Sequence, residues 1–471
     1  MTLKPALLCF ATLLIAPLAS AQTQSHGDAR LWLTNVDRSA LLAPQATPLR
    51  FSENAAEAPV IEVNDMQQFQ SIDGFGFAVT GGSAELLMRM APAQRASLLK
   101  EIFAPDGDGI HVSYIRVSIG SSDMNDHAYS YDDVAPGQTD PRLEKFSLDI
   151  DRAAVIPVLK EILAINPRIA ILGTPWSAPA WMKTNDNLRG GHLKPEYYSV
   201  FAQYFVKYLE AMKAEGITIH AVTVENEPLN PKNTPSRAMF AQEEDEFIAK
   251  HLGPAFEKAG IGTKIQLYDH NPDVPSYPLS ILKDPDASKY VEGTAFHLYG
   301  GSADVLTDVH NQYPNKNLYL TEQSVTEPAN APPSTIGISQ PVEEVLIGAT
   351  RNWSKNVLLW NLAADPNNGP HTGNGGCTDC RGALTLDGDH ATRNVEYYAL
   401  AHFSKFVPPG SIRIGSSEQE QLATAAFLTP EGKIVLVASN TANFPKTFSI
   451  RYHSRAATAT LPSESVGTYV W

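Results

Sequence analysis

The segment IHAVTVENEP at residues 219–228 combines a short apolar run with a carboxylate, Glu227, near its end. A second segment of the same kind, NLYLTEQS at residues 317–324, carries Glu322 in the matching place. Both runs are rich in the apolar and β-branched residues that favour short strands. Because parallel strands of one sheet end at the same edge, the two carboxylates are predicted to share a site there.

Similar runs recur along the chain between residues 71 and 363. They are SIDGFGFAVT (71–80), VSYIRVSIG (112–120), IAILGTPWS (169–177), IHAVTVENEP (219–228), KIQLYDHN (264–271), TAFHLYGG (294–301), NLYLTEQS (317–324) and NVLLWNLA (356–363). Stretches with apolar residues at helical spacing separate them, as in residues 153–165 and 195–216. Eight strand–helix alternations predict an α/β fold, a (β/α)8 TIM barrel, over residues 66–404.

The segments that flank this barrel have a different pattern. Residues 29–65 and 405–471 contain short alternating runs such as KIVLVASN (433–440) and KTFSIRYH (446–453). Alternation over short strands is typical of a β-sandwich. The sequence therefore predicts a small β-sandwich domain built from N- and C-terminal segments.

The N-terminus predicts export. Residues 1–21 hold a lone Lys4, an apolar run and the small residues Ala19-Ser20-Ala21, which is the pattern of a signal peptide. Cys9 lies within the apolar run, so a lipid anchor is not expected, and no later stretch approaches the ~20 apolar residues of a membrane span. We expect a secreted or periplasmic protein without a membrane anchor.

Composition and motifs exclude several classes of function. The net charge is -15, or -16 once Lys4 is removed with the leader, which argues against nucleic acid and anionic membranes as partners. The chain contains no G-x-S-x-G, H-E-x-x-H or G-x-x-x-x-G-K-[ST] motif, and Val79 stands where a dinucleotide fingerprint starting at Gly74 needs a glycine. No cofactor is expected.

Cys377 and Cys380 are the only cysteines that remain after the leader is removed. They lie in a C-x-x-C spacing within a loop rich in glycine and polar residues, and an oxidising compartment favours a disulfide between them. The alternative is a zinc site, for which His371 is the single nearby candidate ligand. We therefore expect no metal.

The paired glutamates indicate the chemistry. A retaining glycosidase needs a protonated acid and an ionised nucleophile whose carboxyl groups lie roughly 5 Å apart. Arg116 and Tyr299, on the second and sixth strands, are predicted to point toward Glu322, where a cation lowers the carboxyl pKa. Alternatively, Arg116 only completes ion pairs inside the barrel. Glu225 is a competing carboxylate, but strand alternation turns it away from the face of its neighbours.

The motifs, taken in order, resemble glycoside hydrolase family 30. They are GFGFAVT, YIRVSIGSSD, TPWSAPAWMKTN, AVTVENEP, YDHN, AFHLYGG, LTEQ, LLWNLAADPNNGP and HFSKFVPPG, and they span nearly the whole mature chain. The resemblance implies that Glu227, in NEP, is the acid/base and that Glu322, in LTEQ, is the nucleophile. The alternative from a different class is a non-catalytic carbohydrate-binding barrel, which the presence of Glu227, Glu322, Arg116 and Tyr299 disfavours.

The same resemblance implies a set of sugar-binding residues. Asn226 matches a donor to the 2-hydroxyl, Asp123 matches an acceptor from outer hydroxyls, and His297 is a further candidate. Trp176 and Trp360 match aromatic positions that pack against the terminal sugar, although aromatic residues on strands are more often core. The segment Asp269–Asn271 either contacts substrate or caps a helix.

The implied substrate is a β-linked glucoside. Leu298 stands where the glucosylceramidase branch is expected to carry tryptophan, and the loop HTGNGGCTDC (371–380) is polar, whereas a lipid substrate favours apolar loops. The amino-acid sequence as a whole resembles bacterial β-1,6-glucanases. The resemblance therefore implies a polysaccharide or oligosaccharide partner with β-1,6 linkages (pustulan, gentio-oligosaccharides). A glucosylceramidase or an exo-acting β-glucosidase is the alternative.

Overall fold

The computed structural model describes residues 27–53, 59–325 and 335–471. The predicted signal peptide at residues 1–21 lies outside them. No helix in the described ranges has both the length and the apolar composition of a membrane span.

The strands form a barrel, a large sheet and a small sheet. Three strands precede the barrel: β1 (Arg30–Thr34), β2 (Ala43–Pro44) and β3 (Val60–Ser71). The barrel strands are β4 (Gly74–Ala78), β5 (Tyr114–Ser118), β6 (Ala170–Thr174), β7 (Ala221–Thr223), β8 (Lys264–His270), β9 (Val291–His297), β10 (Asn317–Glu322) and β11 (Ser354–Leu359). The remaining strands are β12 (Ala363–Ala364), β13 (Leu384–Asp387), β14 (His390–Arg393), β15 (Ile412–Ser416), β16 (Leu422–Leu428), β17 (Ile434–Asn440), β18 (Lys446–Tyr452), β19 (Arg455–Leu461) and β20 (Ser465–Val470).

The eight barrel strands are those that the sequence predicts. They follow each other around the barrel in chain order, and β11 closes it by pairing with β4. Every one of these pairings is parallel. The (β/α)8 prediction is therefore confirmed, and all eight carboxyl ends open on one rim.

Helices surround the barrel. They are α1 (Gly81–Arg89), α2 (Pro92–Phe103), α3 (Val155–Ile165), α4 (Tyr198–Ala214), α5 (Ala241–Phe247), α6 (Gly253–Ala259), α7 (Ser276–Lys283), α8 (Pro285–Ser288), α9 (Asp304–Gln312), α10 (Ser339–Pro341), α11 (Gly348–Arg351) and α12 (Val395–Ser404). In α4, Phe201, Phe205, Tyr208 and Met212 are buried at helical spacing, so one face packs on the barrel.

Side-chain alternation inside the barrel separates its floor from its mouth. Tyr114 of β5 packs with Leu172, Ala221 and Leu358 in an apolar layer. Arg116 lies two residues nearer the carboxyl end of β5 and is fully buried. Because residues two apart share a face, Arg116 also points inward, above the apolar layer and below the mouth.

The other large sheet joins both chain ends. Its nine strands run in the order β19-β18-β3-β15-β16-β17-β20-β1-β2. The sheet folds back on itself, because a Cβ added to Gly467 of β20 would meet Leu461 Cδ2 of β19 at 2.7 Å although the two strands are far apart in that order. Its core is separate from the barrel core and contains Leu31, Ile61 and Leu436. The predicted sandwich of terminal segments is thus present.

The last helix connects this sandwich to the barrel. His402 of α12 is fully buried, and its two ring nitrogens contact Thr468 Oγ1 of β20 at 2.8 Å and Thr34 Oγ1 of β1 at 2.9 Å. Burial lowers the pKa of His402 to about 3, so the ring is neutral and bonds one hydroxyl as donor and the other as acceptor.

Candidate active site

Glu227 and Glu322 meet at the mouth of the barrel. Glu322 is the last residue of β10, and Glu227 follows β7 by four residues. Each side chain is more than nine-tenths buried. One carboxylate oxygen of each lies within 4.8 Å of the other and of a ring nitrogen of His297. This spacing fits the short carboxyl separation of retaining glycosidases.

Arg116 organises the floor of the site. Its guanidinium donates to Glu322 Oε2, to Asp269 Oδ2 at 2.7 Å and to Asn226 Oδ1 at 2.7 Å. The cation therefore lies beside Glu322 and also pairs with a second buried carboxylate, so both interpretations of Arg116 from the sequence describe part of its contacts. Because Arg116 bonds Asn226 Oδ1, the amide nitrogen of Asn226 points away from the guanidinium.

Tyr299 contacts the other oxygen of Glu322. Its hydroxyl donates to Glu322 Oε1 at 3.1 Å, while the side chain as a whole is 45% exposed at the mouth of the barrel. Glu322 therefore has a donor on each oxygen. Two donors fix the plane of the carboxyl group and aim it into the cavity.

His297 joins the two sides of the site. Its Nδ1 lies 3.1 Å from Glu227 Oε1 and its Nε2 lies 3.1 Å from Asp269 Oδ1. Burial favours the neutral ring, but the charges of Glu322, Asp269 and Glu227 outweigh it and raise the pKa of His297 to about 9. The ring is therefore an imidazolium at neutral pH, and both of its nitrogens donate.

The charges set the proton distribution between the glutamates. Burial raises the pKa of Glu322, against the opposing charges of His297 and Arg116. Burial also acts on Glu227, but hydrogen bonds and charge from His297 outweigh it and lower the pKa of Glu227 to about 2. These directions are the reverse of those the expected roles require, because His297 is 3.8 Å from Glu322 but 3.1 Å from Glu227. The surrounding carboxylates therefore favour the proton on His297, whose Nδ1 lies 3.1 Å from Glu227 Oε1.

Two tryptophans form one wall. Trp176 and Trp360 pack with ring centroids 5.4 Å apart, and Arg116 Cζ lies 4.7 Å from the centroid of Trp176. Both rings are almost fully buried, but Trp360 lines the cavity and Trp176 does not. Trp360 is therefore placed to contact a sugar, and Trp176 supports Trp360 and the Arg116 guanidinium.

Asp123 lines the same cavity as the acid pair. It is 6% exposed, and burial, with the nearby charges of Glu322 and Glu227, raises the pKa of Asp123 to about 8. Its backbone oxygen accepts a hydrogen bond from Thr372 N at 2.9 Å, which ties it to the loop after β12.

Glu225 has a structural role. Arg237 Nε donates to Glu225 Oε2 at 2.8 Å, and both side chains are buried. Glu225 does not line the cavity that Glu227 and Glu322 share. Both glutamates follow the last residue of β7, Thr223, and they lie two positions apart, so strand alternation would place them on one face. Glu225 is turned away from the cavity as expected, but the reason is the irregular backbone after β7, where Glu227 has a positive φ of 47°.

Two loops extend the cavity beyond the acid pair to a volume of about 910 Å³. The loop after β7 contributes Asn230, Lys232 and Asn233 to its lining, and the loop after β12 contributes Cys377 and Cys380. The loops are joined because Thr234 N donates to Gly375 O at 3.0 Å and Thr372 Oγ1 donates to Thr234 O at 2.6 Å.

Cys377 and Cys380 are bonded to each other, with their Cα atoms 5.5 Å apart. The bond uses the thiols that a zinc ion would need, and His371 directs its Nδ1 to Thr372 O at 3.1 Å. The zinc alternative therefore lacks its ligands in this arrangement. The disulfide packs against Trp360 and the neighbouring apolar residues of the mouth.

Two residues near the acid pair make contacts that the sequence does not predict: the sequence suggests a substrate contact or a helix cap for Asp269, and it does not single out Asn230. Asp269 accepts from Arg116, His297 and Thr321, and its pKa is held well below the usual range by that cation and by hydrogen bonds, although burial alone would raise it. Asn230 donates to Glu227 Oε2 at 2.7 Å. The sequence feature that could have identified Asp269 is its position at the end of a strand. For Asn230 the only such feature is its proximity to the NEP motif.

A parallel eight-stranded barrel with two carboxylates and their cations at its mouth defines the class of barrel glycosidases. Comparison with known families agrees. Residues 72–407 match the glycosyl hydrolase family 30 TIM-barrel domain, and residues 410–469 match the family 30 beta sandwich domain. The chain belongs to glycoside hydrolase family 30 and is a glycosidase.

Relatives with different specificities cover most of the chain. The endo-1,6-beta-D-glucanase of Aspergillus fumigatus is 35% identical over 85% of each chain. The lysosomal acid glucosylceramidase of Mus musculus is 31% identical over 86% of this chain and 82% of the relative. Among solved structures, an endo-beta1,6-glucanase superposes with a TM-score of 0.86 at 36% identity, covering 94% of this chain and 99% of the other.

Proposed function

We propose that this glycosidase hydrolyses β-1,6-glucan by double displacement with retention of configuration. The observation that carries the mechanism is the approach of Glu227 and Glu322 within 4.8 Å, each with its own donors. The similarity to endo-1,6-β-glucanases, of both sequence and structure, supports the linkage.

In the first step, Glu322 attacks the anomeric carbon while Glu227 gives a proton to the leaving oxygen. His297 supplies that proton to Glu227 across their 3.1 Å hydrogen bond and becomes neutral. In the second step, water attacks the same carbon, Glu227 accepts the water proton, and Glu322 leaves as a carboxylate. The proton then returns to His297, so the cycle closes.

The remaining residues would hold the sugar whose bond is cut. Asn226 would donate to the 2-hydroxyl, Asp123 would bind outer hydroxyls, and Trp360 would pack on the ring. Arg116 and Tyr299 would keep Glu322 oriented for attack. The joined loops after β7 and β12 would accommodate the leaving part of the glucan, and their polar residues suit a carbohydrate better than a lipid.

Export and domain limits complete the proposal. Residues 1–21 would act as a signal peptide that directs the chain to the periplasm or the exterior, where a disulfide such as Cys377–Cys380 persists. Residues 66–404 would form the catalytic domain, with residues 29–65 and 405–471 as its sandwich partner.

The linkage prediction concerns substrate choice. We expect pustulan and gentio-oligosaccharides to be hydrolysed faster than laminarin, cellulose and glucosylceramide at equal enzyme concentration. Reducing-end release from each glucan and glucose release from the lipid in detergent micelles measure this. Faster turnover of glucosylceramide than of pustulan would favour the alternative function and leave the two glutamates in place.

The stereochemical prediction concerns the first product. Because the carboxyl groups are close, no room remains for a water molecule between nucleophile and sugar, and two inversions give net retention. Proton NMR recorded within the first minutes of gentio-oligosaccharide hydrolysis should show the β-anomer before mutarotation. Initial accumulation of the α-anomer would contradict the double displacement.

A further inference from the structure

Asn230 is placed to act on the acid/base carboxyl. It follows Glu227 by three residues, lines the same cavity and donates its Nδ2 to Glu227 Oε2 at 2.7 Å. The other oxygen, Glu227 Oε1, contacts His297 at 3.1 Å. Each oxygen of the carboxyl group thus has one donor, and the two donors come from different parts of the barrel.

The local backbone fixes the direction of the Asn230 amide. Glu227 has a positive φ of 47°, which is uncommon outside glycine and reverses the chain after β7. Asn230 N then donates to Glu227 O at 2.8 Å and closes a tight turn. Farther along, the loop is held by the bonds of Thr234 to the loop after β12. The side chain of Asn230 therefore returns to the carboxyl group that begins the turn.

The two bonds of Asn230 have separable effects. Its backbone nitrogen closes the turn, and any residue except proline can provide that bond. Its side-chain amide contacts the Glu227 carboxyl, and a donor on a carboxylate stabilises the ionised form. Glu227 has to be ionised at the start of the second step, when it accepts a proton from water.

We propose that Asn230 is a positioning residue that fixes the plane of the Glu227 carboxyl and keeps it ionised for hydrolysis of the glycosyl-enzyme. The inference rests on the proposed acid/base role of Glu227 and adds a residue that acts through it. His297 lies on the opposite oxygen and carries the proton for the first step. The two neighbours therefore serve different halves of the cycle.

The test uses an aryl β-glucoside with a good leaving group, such as dinitrophenyl glucoside. Its first step needs no acid, so kcat reports hydrolysis of the glycosyl-enzyme while kcat/KM reports attack by Glu322. Loss of the amide donor raises the pKa of Glu227, so its ionised form is lost at a higher pH as the solution is acidified. In Asn230→Ala, the acidic limb of the pH profile of kcat should therefore move to higher pH by about one unit.

Internal controls separate this effect from damage to the loop. The acidic limb of kcat/KM should not move, because Asn230 does not contact Glu322. Asn230→Asp has nearly the same shape and replaces the donor by a like charge, so it should move the kcat limb farther upward. Asn315→Ala removes an exposed amide in the turn before β10, at the end of the barrel away from the cavity, and its profile should match the wild type.

Unchanged kcat limbs in both Asn230 variants would overturn the proposal, as would equal losses of kcat and kcat/KM without a change in pH dependence. Glu227→Ala, measured in parallel, shows whether a negative result refutes the acid/base role of Glu227 or only the role of Asn230. If it hydrolyses pustulan normally, the proposed acid/base role itself is wrong. If it loses that activity while the Asn230 profiles match the wild type, only the role of Asn230 is refuted.

Discussion

Glu322→Gln is expected to abolish turnover of every glycoside substrate, including aryl glucosides with good leaving groups. The amide keeps the size of the side chain but cannot attack the anomeric carbon, so the first displacement has no nucleophile. The loss in kcat should be on the order of 10⁵-fold or more, comparable to removal of the nucleophile from other covalent catalysts. Initial rates on pustulan and on dinitrophenyl glucoside measure it.

A matched control is available on the neighbouring strand. Glu292 of β9 is at the opposite end of the barrel from the mouth and pairs with Lys264 at 3.5 Å on the surface. Glu292→Gln makes the same chemical change away from the cavity and should retain wild-type kcat. Comparable activity in Glu322→Gln and Glu292→Gln would show that another group is the nucleophile.

Glu227→Ala is expected to show the second-largest effect, and its size should depend on the leaving group. Glucan hydrolysis needs a protonated leaving oxygen, so it should fall by about 10²- to 10⁴-fold. Dinitrophenyl glucoside needs no such help in its first step, so its glycosyl-enzyme should form and then hydrolyse slowly. Progress curves should show a burst followed by a slow phase.

Azide provides the diagnostic for this variant. The small anion fits the space left by the missing carboxyl and attacks the glycosyl-enzyme without a general base. It should restore the slow phase and give a β-glucosyl azide, identified by NMR. An α-glucosyl azide, or restoration by azide in Glu322→Gln instead, would require the two roles to be exchanged.

The convergence of the acid pair follows from features visible in the sequence. Glu322 ends β10 and Glu227 follows β7 by four residues, and a closed parallel barrel brings both places to one rim. The contact of Arg116 with Glu322 follows from inward-facing alternation on β5. These expectations depend only on strand identity and a period of two, which local sequence specifies well.

The role of Asp269 could not be predicted because alternation fails on β8. Gln266 contacts Tyr114 inside the barrel, so Tyr268 should point inward and Asp269 outward. The pairing of β8 with β9 is irregular between Tyr268 and His270, and both Tyr268 and Asp269 have positive φ. This bulge turns Asp269 toward Arg116 and His297. No local signal in the sequence marks the irregularity.

Which group at the site carries the proton could not be predicted from the sequence either. The expectation of a protonated Glu227 considers the two carboxyls alone, whereas three buried carboxylates, Arg116 and His297 share the site. Which group holds the proton depends on differences of less than 1 Å between His297 and its neighbours. Such differences arise from the packing of several strands, so spacing along the chain carries no information about them.

The pairing of β1 with β20 has a consequence for the order of events during synthesis. Among the described residues, β1 is the first strand to be synthesised, yet apart from the short β2 its only partner is β20, near the end of the chain. The strand β3 likewise pairs only with β15 and β18, which follow the entire barrel. Each of these two strands therefore keeps at least one edge open until the barrel has been made, and contacts so distant along the chain form slowly. Until the sandwich closes, these strands rather than the barrel present the most persistent exposed edges.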